Sequence, residues 1–502
     1  MLDHPMVSAR AVCCGNQLAL QILEQPYPNE SDSLGIILEE VREDDWLFLK
    51  AQTQGWPLHW FWLEVDNDAL FIESSPHSTV PVYLTAVQEQ IRVDWDPRQL
   101  LSTIRPVLNW DAAAYFLTTF EQPYANETLL ADLYHLASGY RANIALKQTN
   151  EQWGFTRPAS VAPAYPRTLR LEANPLNTFE SLLCSVSSRI SGALPHVAAG
   201  LSGGLDSALV CAALTMEGYS VDSYGILVPG AGRVTQSERR DEIIAHFNLN
   251  DNVDPIALGY TPWEGDGFVL PWEELYYEPF ERLYTRAAAT GHKLFCTGLG
   301  GNDLLAPYWS ELTDKGEHER SIFSGKQPTL PVLLSARVRD GHEERTRRLN
   351  GDLPRAFVQR GVLDSMAGMA AQTLRHGLWP AHPLVAPEVV RYAHSLPLAW
   401  RENRRLMREL LGYWGGSRKV THPEHSESFE EMCAFAMRNC ASFSRLLRAP
   451  HLADAGLVEP SQIEKAFDTW RHSHEPSSAA LPLVAIAALE KMLTAIEISR
   501  SS

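Results

Sequence analysis

The sequence predicts an α/β protein in two parts: a β-rich part over residues 1–165 and, over residues 166–502, a doubly wound parallel sheet with a helical C-terminal region. Three observations carry this prediction. Short aromatic and apolar runs separated by turn residues fill the first part. Beyond a Pro-rich and Ala-rich passage at 157–166, helix-period segments alternate with short apolar runs. From about Leu349 onwards most of the sequence has helical periodicity.

The individual elements follow from these patterns in chain order. HWFWLEV, ALFIES and VPVYLTAV predict strands of the first part. In the second part NTFESLLCSVSSRI, ALVCAALTMEG and SERRDEIIAHFN predict helices, and the runs HVAAGL, VDSYGILV and VDPIAL between them predict buried parallel strands. VAPEVVRYAHSLP and ENRRLMRELL predict helices of the C-terminal region, and we expect the arginines of the second to form a solvated face.

The composition excludes several classes of function. The 502 residues include 61 acidic and 43 basic side chains, a formal net charge of −18, whereas a nucleic-acid surface needs clustered Lys and Arg. The same deficit of positive charge disfavours a membrane surface, and no run approaches the roughly 20 apolar residues of a membrane span. We therefore predict no nucleic-acid partner and no membrane association.

Cysteine usage and the N-terminal residues predict the compartment. Seven cysteines without a CxxC pair are typical of reduced thiols. The first residues lack the basic start and long apolar run of a secretion signal. Together these features predict a cytoplasmic protein.

The stretch SGGLDS at 202–207 lies between the apolar run 197–201 and the helical segment 208–214, and it is predicted to be a strand-to-helix turn. Its two glycines allow the backbone to approach a ligand closely, and the amides at the start of a helix attract an anion. The serine hydroxyls can donate to phosphate oxygens, and the aspartate can hold Mg²⁺ against them. The ending GK[ST] of a Walker loop is missing, so transfer of a terminal phosphoryl group is not implied. The predicted nucleotide-binding residues are Ser202, Gly203, Gly204, Asp206 and Ser207.

SGGLDS resembles the pyrophosphate loop of ATP pyrophosphatases, and residues 175 to 450 are similar to the synthetase domain of the asparagine synthetase family. Members of that family use ATP to convert a carboxylate into an acyl adenylate and release pyrophosphate, after which an amine attacks the acyl carbon. The resemblance implies an ATP pyrophosphatase domain over residues 166–502, with ATP and Mg²⁺ as its cofactors.

A second segment, KLFCTGLGGNDLL at 293–305, resembles the family's second signature, in which a strand and a Gly-rich turn precede an acid that contacts Mg²⁺. The resemblance places this ligand at Asn302, where the sequence has an amide, with Asp303 next to it. An amide oxygen coordinates Mg²⁺ more weakly than a carboxylate does. We therefore predict Asp206 and Asp303 as the metal ligands, with Asn302 as the alternative to Asp303.

A third segment, GGSRKVTHPEHSESF, contains the predicted catalytic residues. The family places near here a lysine that contacts the phosphates and the charge that develops on the acyl carbon, and Lys419 matches it. Glu424 has the spacing of an acid found in the β-lactam synthetase branch. His422, His425 and Glu424 could form a metal site, but no further ligand cluster joins them, so we expect them to be incidental.

The first part resembles the glutaminase-type domain that precedes the synthetase domain in the family, kept without its reaction. Glutamine-dependent members begin with a cysteine at position 2, which is Leu2 here, and Cys13 and Cys14 are internal. The stretch ANETLLADLYHLASGYRANI at 125–144 is similar to the one that closes this domain in relatives. Ammonia from glutamine is therefore not expected.

Three branches lack that cysteine: β-lactam synthetases, carbapenam synthetases and the lasso-peptide cyclases that close a macrolactam. The β-lactam-forming enzymes have a tyrosine in the TGxG turn where this sequence has Leu299, which accepts no proton. A peptide α-amine, with a pKa near ~8, needs less help from a base. The Gly300 and Gly301 pair and the tail FSRLLRAPHLADAGLVEPSQIEKAF also resemble lasso cyclases.

The predicted function is thus ATP- and Mg²⁺-dependent amide-bond formation that closes a ring on a peptide or small-molecule carboxylate. The leading hypothesis for the product is the macrolactam of a lasso-type peptide. The alternatives are a β-lactam or carbapenam synthetase, ammonia-dependent amidation, and a non-catalytic nucleotide-binding subunit. The resemblance to lasso cyclases implies a leader-removing peptidase as partner. We expect backbone groups of the strand at 223–228 to recognise adenine.

Overall fold

The computed structural model describes residues 4 to 501 with internal gaps. The gaps are 27–35, 77–78, 88–89, 122–124, 147–152, 157–165, 259, 265–268, 272–274, 308–310, 312–330, 351–359, 425–428, 440 and 473–479. The predicted boundary at 157–166 and position 2 fall almost wholly outside the described residues.

The first part is rich in strands, as the sequence predicts. Its seven-stranded sheet has the order β12-β11-β5-β4-β2-β1-β3, and a three-stranded sheet has the order β10-β6-β7. Strands β4 and β5 form a hairpin across the two-residue turn Asn67 and Asp68, a residue pair that suits a tight turn. The strands are β1 Val7–Cys14, β2 Gln17–Glu24, β3 Leu38–Glu40, β4 Trp60–Asp66, β5 Ala69–Ser74, β6 Tyr83–Val87, β7 Gln90–Asp94, β8 Val107–Leu108, β9 Leu130–Ala131, β10 Tyr134–His135, β11 Arg141–Ala145 and β12 Trp153–Thr156. Three helices join them, α1 Glu43–Gln54, α2 Pro97–Leu101 and α3 Trp110–Thr119.

The second part contains a five-stranded sheet in which every pairing is parallel. Its strands are β13 His196–Gly200, β14 Ser220–Leu227, β15 Asn250–Pro255, β16 Leu294–Cys296 and β17 Trp379–Ala381. The order is β15-β14-β13-β16-β17, so the chain winds outward in one direction from β13 and then returns to the other side of it. This reversal is the switch point of a doubly wound sheet, and ligands bind there beyond the carboxyl ends of the strands.

Helices pack on this sheet and fill the C-terminal region, as predicted. Asn174 caps the first of them through its side-chain oxygen, which accepts from the backbone N–H of Asn177 at 3.2 Å. The helices of this part up to residue 304 are α4 Pro175–Ser191, α5 Leu205–Met216, α6 Arg233–Phe247, α7 Tyr277–Ala289 and α8 Gly301–Leu304. Those further along are α9 Ala336–Asp340, α10 His342–Asn350, α11 Arg360–Arg375, α12 Pro387–Ser395, α13 Leu398–Arg401, α14 Arg405–Tyr413, α15 Arg418–Thr421, α16 Phe429–Asn439, α17 Ala441–Leu446, α18 Pro450–Asp454, α19 Pro460–His472 and α20 Ala480–Ser501. Short 3₁₀ turns lie at Pro383–Val385 and Glu402–Arg404.

The two parts pack closely against each other. His4 lies 3.1 Å from the carbonyl of Gly377 and 5.3 Å, between ring centroids, from Trp379. Helix α3 packs against the C-terminal helix α20, with its buried alanines in the same apolar cluster. The division at residue 165 stays a prediction, because buried side chains from both sides of it share the apolar clusters.

The structure also bears on the two expectations about reduced cysteines and membrane-spanning segments. The described cysteines are free thiols, and Cys13 and Cys14 lie half-buried within β1. Helices in the described part of the chain are all too short or too polar to cross a membrane.

Candidate nucleotide-binding site

The loop at 201–204 connects β13 to α5 at the switch point of the parallel sheet. Gly203 has φ of +88°, and a Cβ atom placed on it would lie 2.9 Å from the backbone oxygen of Gln236. Gly204 is the cap residue that precedes α5. Both the left-handed backbone and the close neighbour require glycine at 203, so this tight strand-to-helix turn is the one the sequence predicts.

The two serines of the loop bond to each other and to the turn. The backbone N–H of Ser202 donates to Ser207 Oγ at 3.1 Å, and the two hydroxyl oxygens are 3.2 Å apart. Ser202 Oγ accepts from the N–H of Gly204 at 3.2 Å, while Ser207 Oγ donates to the carbonyl of Gly204 at 3.2 Å. Ser202 is exposed and Ser207 is buried. Ser202 is therefore the hydroxyl open to a ligand, and Ser207 shapes the turn.

Side chains of helix α6 donate hydrogen bonds to the backbone of the loop, and the sequence analysis did not identify them. Gln236 donates to the carbonyls of Ser202 and Ile226, both at 3.0 Å, and Arg239 Nε donates to the carbonyl of Gly203 at 2.8 Å. Arg240 is buried and pairs with Asp251. These residues, at positions i, i+3 and i+4 of the helix, share one face, but a polar face by itself is typical of a solvated surface.

The turn that follows β16 packs against the first turn of α5. A Cβ atom on Gly298 would lie 2.5 Å from the backbone nitrogen of Ser207, and one on Gly301 would meet the carboxylate of Asp206. The hydroxyl of Thr297 accepts from the N–H of Leu299 at 3.2 Å. The two Gly-rich segments, about 90 residues apart in the sequence, thus meet beyond the carboxyl ends of the neighbouring strands β13 and β16.

A guanidinium group lies between the residues predicted to hold metal. Arg404 Nη1 donates to Asp206 Oδ1 at 3.1 Å, to Asp206 Oδ2 at 3.2 Å and to Asn302 Oδ1 at 2.6 Å. Asn403 and Arg404 have consecutive φ values of 52° and 55°, which non-glycine residues adopt at a cost. The expectation that the arginines of ENRRLMRELL form a solvated face is therefore wrong for Arg404, because its backbone directs the side chain to Asp206.

Burial and charge set the protonation of the two aspartates. Burial raises the pKa of Asp206 to about 6, although the guanidinium groups of Arg404 and Arg408 oppose the rise. Burial also raises the pKa of Asp303. Asp303 lines a small cavity together with Leu304, Val385 and His394. A cation bound near Asp206 would favour the ionised carboxylate.

The donor set fits a magnesium ion held jointly with phosphates. Asp206 and Asn302 present oxygen atoms to one guanidinium, and Asp303 is close enough to raise the pKa of Asp206 by its charge. Mg²⁺ takes one or two carboxylates and completes its shell with phosphate oxygens and water. Within the described ranges no group of three His, Cys, Asp or Glu side chains forms a metal site. The assignment of Asp303 as the second metal ligand stays a prediction. Its alternative, Asn302, shares the guanidinium of Arg404 with Asp206.

The predicted catalytic residues lie on a neighbouring segment. Lys419, in the short helix α15, has its Nζ 3.3 Å from Glu238 Oε2 on α6, and both side chains are exposed. Glu424 is exposed. Ser417 caps α15 and donates its hydroxyl to Glu242 at 2.7 Å, which fixes this segment on α6. The hydrogen bonds that the structure gives for Lys419 do not reach residues 202–207. Its link to the loop is indirect: Lys419 contacts Glu238 of α6, and α6 contacts the loop through Arg239.

His422 belongs to this segment and does not form a metal cluster with the described residues. Its Nδ1 lies 3.0 Å from the hydroxyl of Thr421. Slight burial and the positive charges of Arg408 and Arg418 lower the pKa of His422. His425 lies outside the described residues.

Positive charge converges on this side of the loop. Arg404 contacts Asp206, Arg408 is close enough to lower the pKa of that carboxyl, and Arg418 and Lys419 follow on the next segment. Arg404 and Arg408 are the cations that lie near Asp206 of the Gly-rich loop. Clustered positive charge of this kind attracts an anionic ligand.

The strand expected to bind adenine has much of its terminal backbone engaged. The N–H of Val228 donates to Gln236 Oε1 at 3.0 Å, and the carbonyl of Tyr224 accepts from Leu201 at 2.7 Å. The carbonyl of Leu227 accepts from Ile256 at 3.0 Å. Adenine contacts through this backbone stay a prediction, and the N–H of Val228 is already taken by Gln236.

Comparison with known proteins gives similar solved structures. Neither a family model nor a curated protein matches the chain. An NH3-dependent NAD synthetase from Campylobacter jejuni, in complex with the nitrate ion, is 15% identical over 41% of this chain and 97% of its own, with a TM-score of 0.22. An NMN synthetase from Francisella tularensis is 14% identical over 47% of this chain and 97% of its own, with a TM-score of 0.21. With TM-scores this low, neither likeness assigns the chain a fold or an activity.

Proposed function

We propose that the protein is an ATP- and Mg²⁺-dependent amide-bond-forming ligase that releases AMP and pyrophosphate. The observation that carries the proposal is the loop at 202–207, a glycine turn at the switch point of a parallel sheet with cationic side chains beside it. A helix start at such a turn offers backbone amides to an anion. The pyrophosphate part of ATP is the ligand that this arrangement fits best.

Different residues would bind the phosphates and the Mg²⁺ of the nucleotide. The amides of the loop and the Ser202 hydroxyl would hold phosphate oxygens, with Gly203 and Gly204 allowing the close approach. Asp206 would hold Mg²⁺ together with Asn302 or Asp303, and the bound ion would neutralise phosphate charge. Arg404 would leave the Asp206 carboxylate and turn to the phosphates, which attract a guanidinium strongly.

The carboxylate substrate would attack the α-phosphorus of ATP, forming an acyl adenylate and releasing pyrophosphate. Lys419 is the cation that would stabilise charge developing at the acyl carbon when an amine attacks, since such charge exists only in the transition state. Breaking the acyl-phosphate bond then frees AMP and leaves an amide. The side chain of Lys419 is long and exposed, and its ion-pair partner Glu238 is exposed as well. The ammonium group would leave this surface ion pair and turn towards a bound substrate.

The ring-closing character of the reaction rests on the resemblance and on Leu299. The leucine offers no base to the attacking amine, which favours an α-amine that is already largely neutral. A peptide whose own N-terminus attacks an activated side-chain carboxylate meets this condition. We therefore propose macrolactam formation on a lasso-type peptide, with a leader-removing peptidase as the partner that supplies the free amine.

The test is product analysis with a candidate precursor peptide, ATP and Mg²⁺. The proposal predicts AMP and pyrophosphate together with loss of one water mass from the peptide. ADP and phosphate would contradict it, as would a dependence on added ammonium with no ring formed. Ring closure on a small β-amino acid, rather than on the peptide, would favour a β-lactam type of synthetase, for which Glu424 has the right spacing.

A further inference from the structure

A cavity of about 420 Å³ lies between the two parts of the chain. On one side it is lined by Glu24, Trp60 and Ser75, at the ends of strands β2, β4 and β5, and on the other by Arg189 and the segment 380–382. Its volume is within the roughly 300–1,000 Å³ of small-ligand sites. The residues that line it do not include 202–207, so it is separate from the nucleotide loop.

Two imidazoles on the cavity wall carry a nitrogen without a partner among the described residues. Nε2 of His59 and Nε2 of His382 are both buried and unbonded. The other nitrogen of His59 lies 2.9 Å from Ser75 Oγ, and that of His382 lies 2.7 Å from Thr297 Oγ1. Buried polar atoms are nearly always paired, so each of these calls for a ligand or a bound water.

Both imidazoles are neutral near pH 7, because burial lowers the pKa values of His59 and His382 to about 4. A neutral imidazole has one nitrogen that donates a hydrogen bond and one that accepts. Thr297 Oγ1, which accepts from the N–H of Leu299, is the partner of His382 Nδ1. Each unbonded Nε2 therefore offers a ligand one hydrogen-bonding site, a donor or an acceptor according to the tautomer of its ring.

The charges around the cavity balance while Glu24 is ionised. Two carboxylates, Glu24 and Glu388, and two guanidinium groups, Arg189 and Arg391, then line it, and Arg189 pairs with Glu388. Glu24 Oε2 accepts from the backbone N–H of His59 at 2.9 Å. Burial raises the pKa of Glu24 to about 7, so the balance holds above that pH, and below it the carboxyl can also donate a hydrogen bond. While the charges balance, a ligand with a net charge would find no compensating charge here.

Much of the remaining wall is apolar. Trp56, Trp60, Pro76, Ile190, Met366 and Pro380 contribute large uncharged surfaces, and Gln54 and Thr79 add two polar side chains. Neutral imidazoles, a carboxyl group and apolar walls together match a group that has carbonyl oxygens, an N–H and apolar side chains. A peptide backbone with apolar residues has this composition.

We propose that the cavity binds a short, uncharged, apolar segment of a peptide, with backbone groups hydrogen-bonded to Nε2 of His59 and of His382 and a backbone N–H facing Glu24. The inference rests on the proposed function for its statement that the peptide is the substrate. His382 joins the cavity to the turn at 297–301 through Thr297, so a peptide held here extends from the same edge of the sheet that holds the nucleotide loop.

The test is calorimetric titration of the full chain, without nucleotide, with the capped dipeptide acetyl-Val-Phe-amide. The expected result is saturable binding, at least tenfold tighter than that of acetyl-Asp-Lys-amide. His59→Phe should remove a hydrogen-bonding nitrogen and Ala386→Trp should fill the cavity, so both should weaken binding at least tenfold. His59→Gln, whose amide can donate or accept a hydrogen bond, should retain most of the affinity, and His472→Phe on an exposed helix should change nothing.

The outcomes separate this inference from the proposed function. No heat with the capped dipeptide, or binding that both cavity variants leave intact, would overturn the inference, and a water-filled cavity would be the explanation. ATP-dependent pyrophosphate release from the precursor would in that case still stand by itself. If Ala386→Trp does not fold, as its melting curve will show, His59→Phe and its Gln counterpart decide the question.

Discussion

Arg404 holds the carboxylate of Asp206 with hydrogen bonds of 3.1 and 3.2 Å, and the same nitrogen donates to Asn302. The guanidinium thus lies where a cation would join these oxygens. Its strained backbone, with φ of 55°, holds the side chain in that position. In the nucleotide-free protein Arg404 takes the electrostatic place that the proposed function gives to Mg²⁺.

Replacing Arg404 with glutamine should strengthen divalent-metal binding to the nucleotide-free protein. The substitution removes a competing and repelling positive charge, and a partly exposed ion pair of this kind is worth about 1 kcal/mol, or about fivefold in affinity. Binding of Mn²⁺, followed by electron paramagnetic resonance, measures the effect. Arg405→Gln is the control, because Arg405, the first residue of α14, pairs with the exposed Glu409 of that helix. Equal Mn²⁺ affinity in both variants would show that Arg404 does not occupy a metal position.

Replacing Lys419 with alanine should separate binding from chemistry. Because its proposed role is to stabilise charge in the transition state, ATP affinity should change less than about threefold, while adenylation should fall by about 10²-fold or more. Calorimetry with ATP and pyrophosphate exchange supply the two measurements. Lys465→Ala, on an exposed helical face, should leave both unchanged. A parallel loss of ATP binding and exchange would assign Lys419 to nucleotide binding instead.

Replacing Gly298 with alanine should displace the second Gly-rich turn. Its new Cβ would lie 2.5 Å from the backbone nitrogen of Ser207, a contact that the rigid helix start does not relieve. We expect a lower melting temperature and at least a tenfold loss of ATP affinity. Gly412→Ala is the matched control, since a Cβ there meets nothing within 4 Å and alanine stabilises a helix by up to about 1 kcal/mol. Unchanged ATP affinity in Gly298→Ala would mean that the turn is not part of the site.

The protein should lose stability as the pH falls from about 6.5 towards 4. Burial lowers to about 4 the pKa of five histidines, so in this window the unfolded chain binds protons that the folded chain does not. Glu24 and Asp206 act in the opposite sense, because burial raises their pKa values to about 7 and about 6. Glu278, Asp303 and His451, whose pKa values are also raised, act in the same sense as Glu24 and Asp206. His342 and His422, whose pKa values are lowered, add to the effect of the five histidines, so the seven histidines outweigh these five groups. The five histidines are His4, His59, His135, His382 and His394.

Melting temperatures at about pH 7 and about pH 5 measure this balance. We expect a clear decrease at the lower pH, and a smaller decrease in His382→Gln, which removes one of the groups that must remain neutral. A melting temperature that rises on acidification would contradict the assignment of these histidines as buried and neutral.

Local patterns in the sequence were enough to predict the strands, the parallel sheet and the loop at 202–207. The alternation of apolar runs and helices specifies the β13 to α5 unit, and the two glycines specify its turn. The family resemblance predicted that this loop and the turn at 297–301 share a metal site. In the structure the two segments meet because they follow the neighbouring strands β13 and β16.

Long-range contacts were beyond such reasoning. The position of Arg404 depends on a left-handed backbone at two non-glycine residues, for which the sequence has no local signal. Gln236 and Arg239 contact the loop because α6 packs beside it, and helical periodicity alone reads their face as solvent-exposed. Likewise, the cavity that contains His59 and His382 combines side chains more than 300 residues apart, so that only the folded chain brings them together.

The central claim is that the turn at 202–207 binds the pyrophosphate part of ATP, and competition binding tests it most directly. In the presence of Mg²⁺, ATP should bind the wild-type chain, inorganic pyrophosphate should displace it, and Gly203→Ala, which forces a side chain against Gln236, should abolish both events. Wild-type protein that binds no ATP at millimolar concentration, or a Gly203→Ala variant that binds ATP and pyrophosphate as the wild type does, would contradict the account.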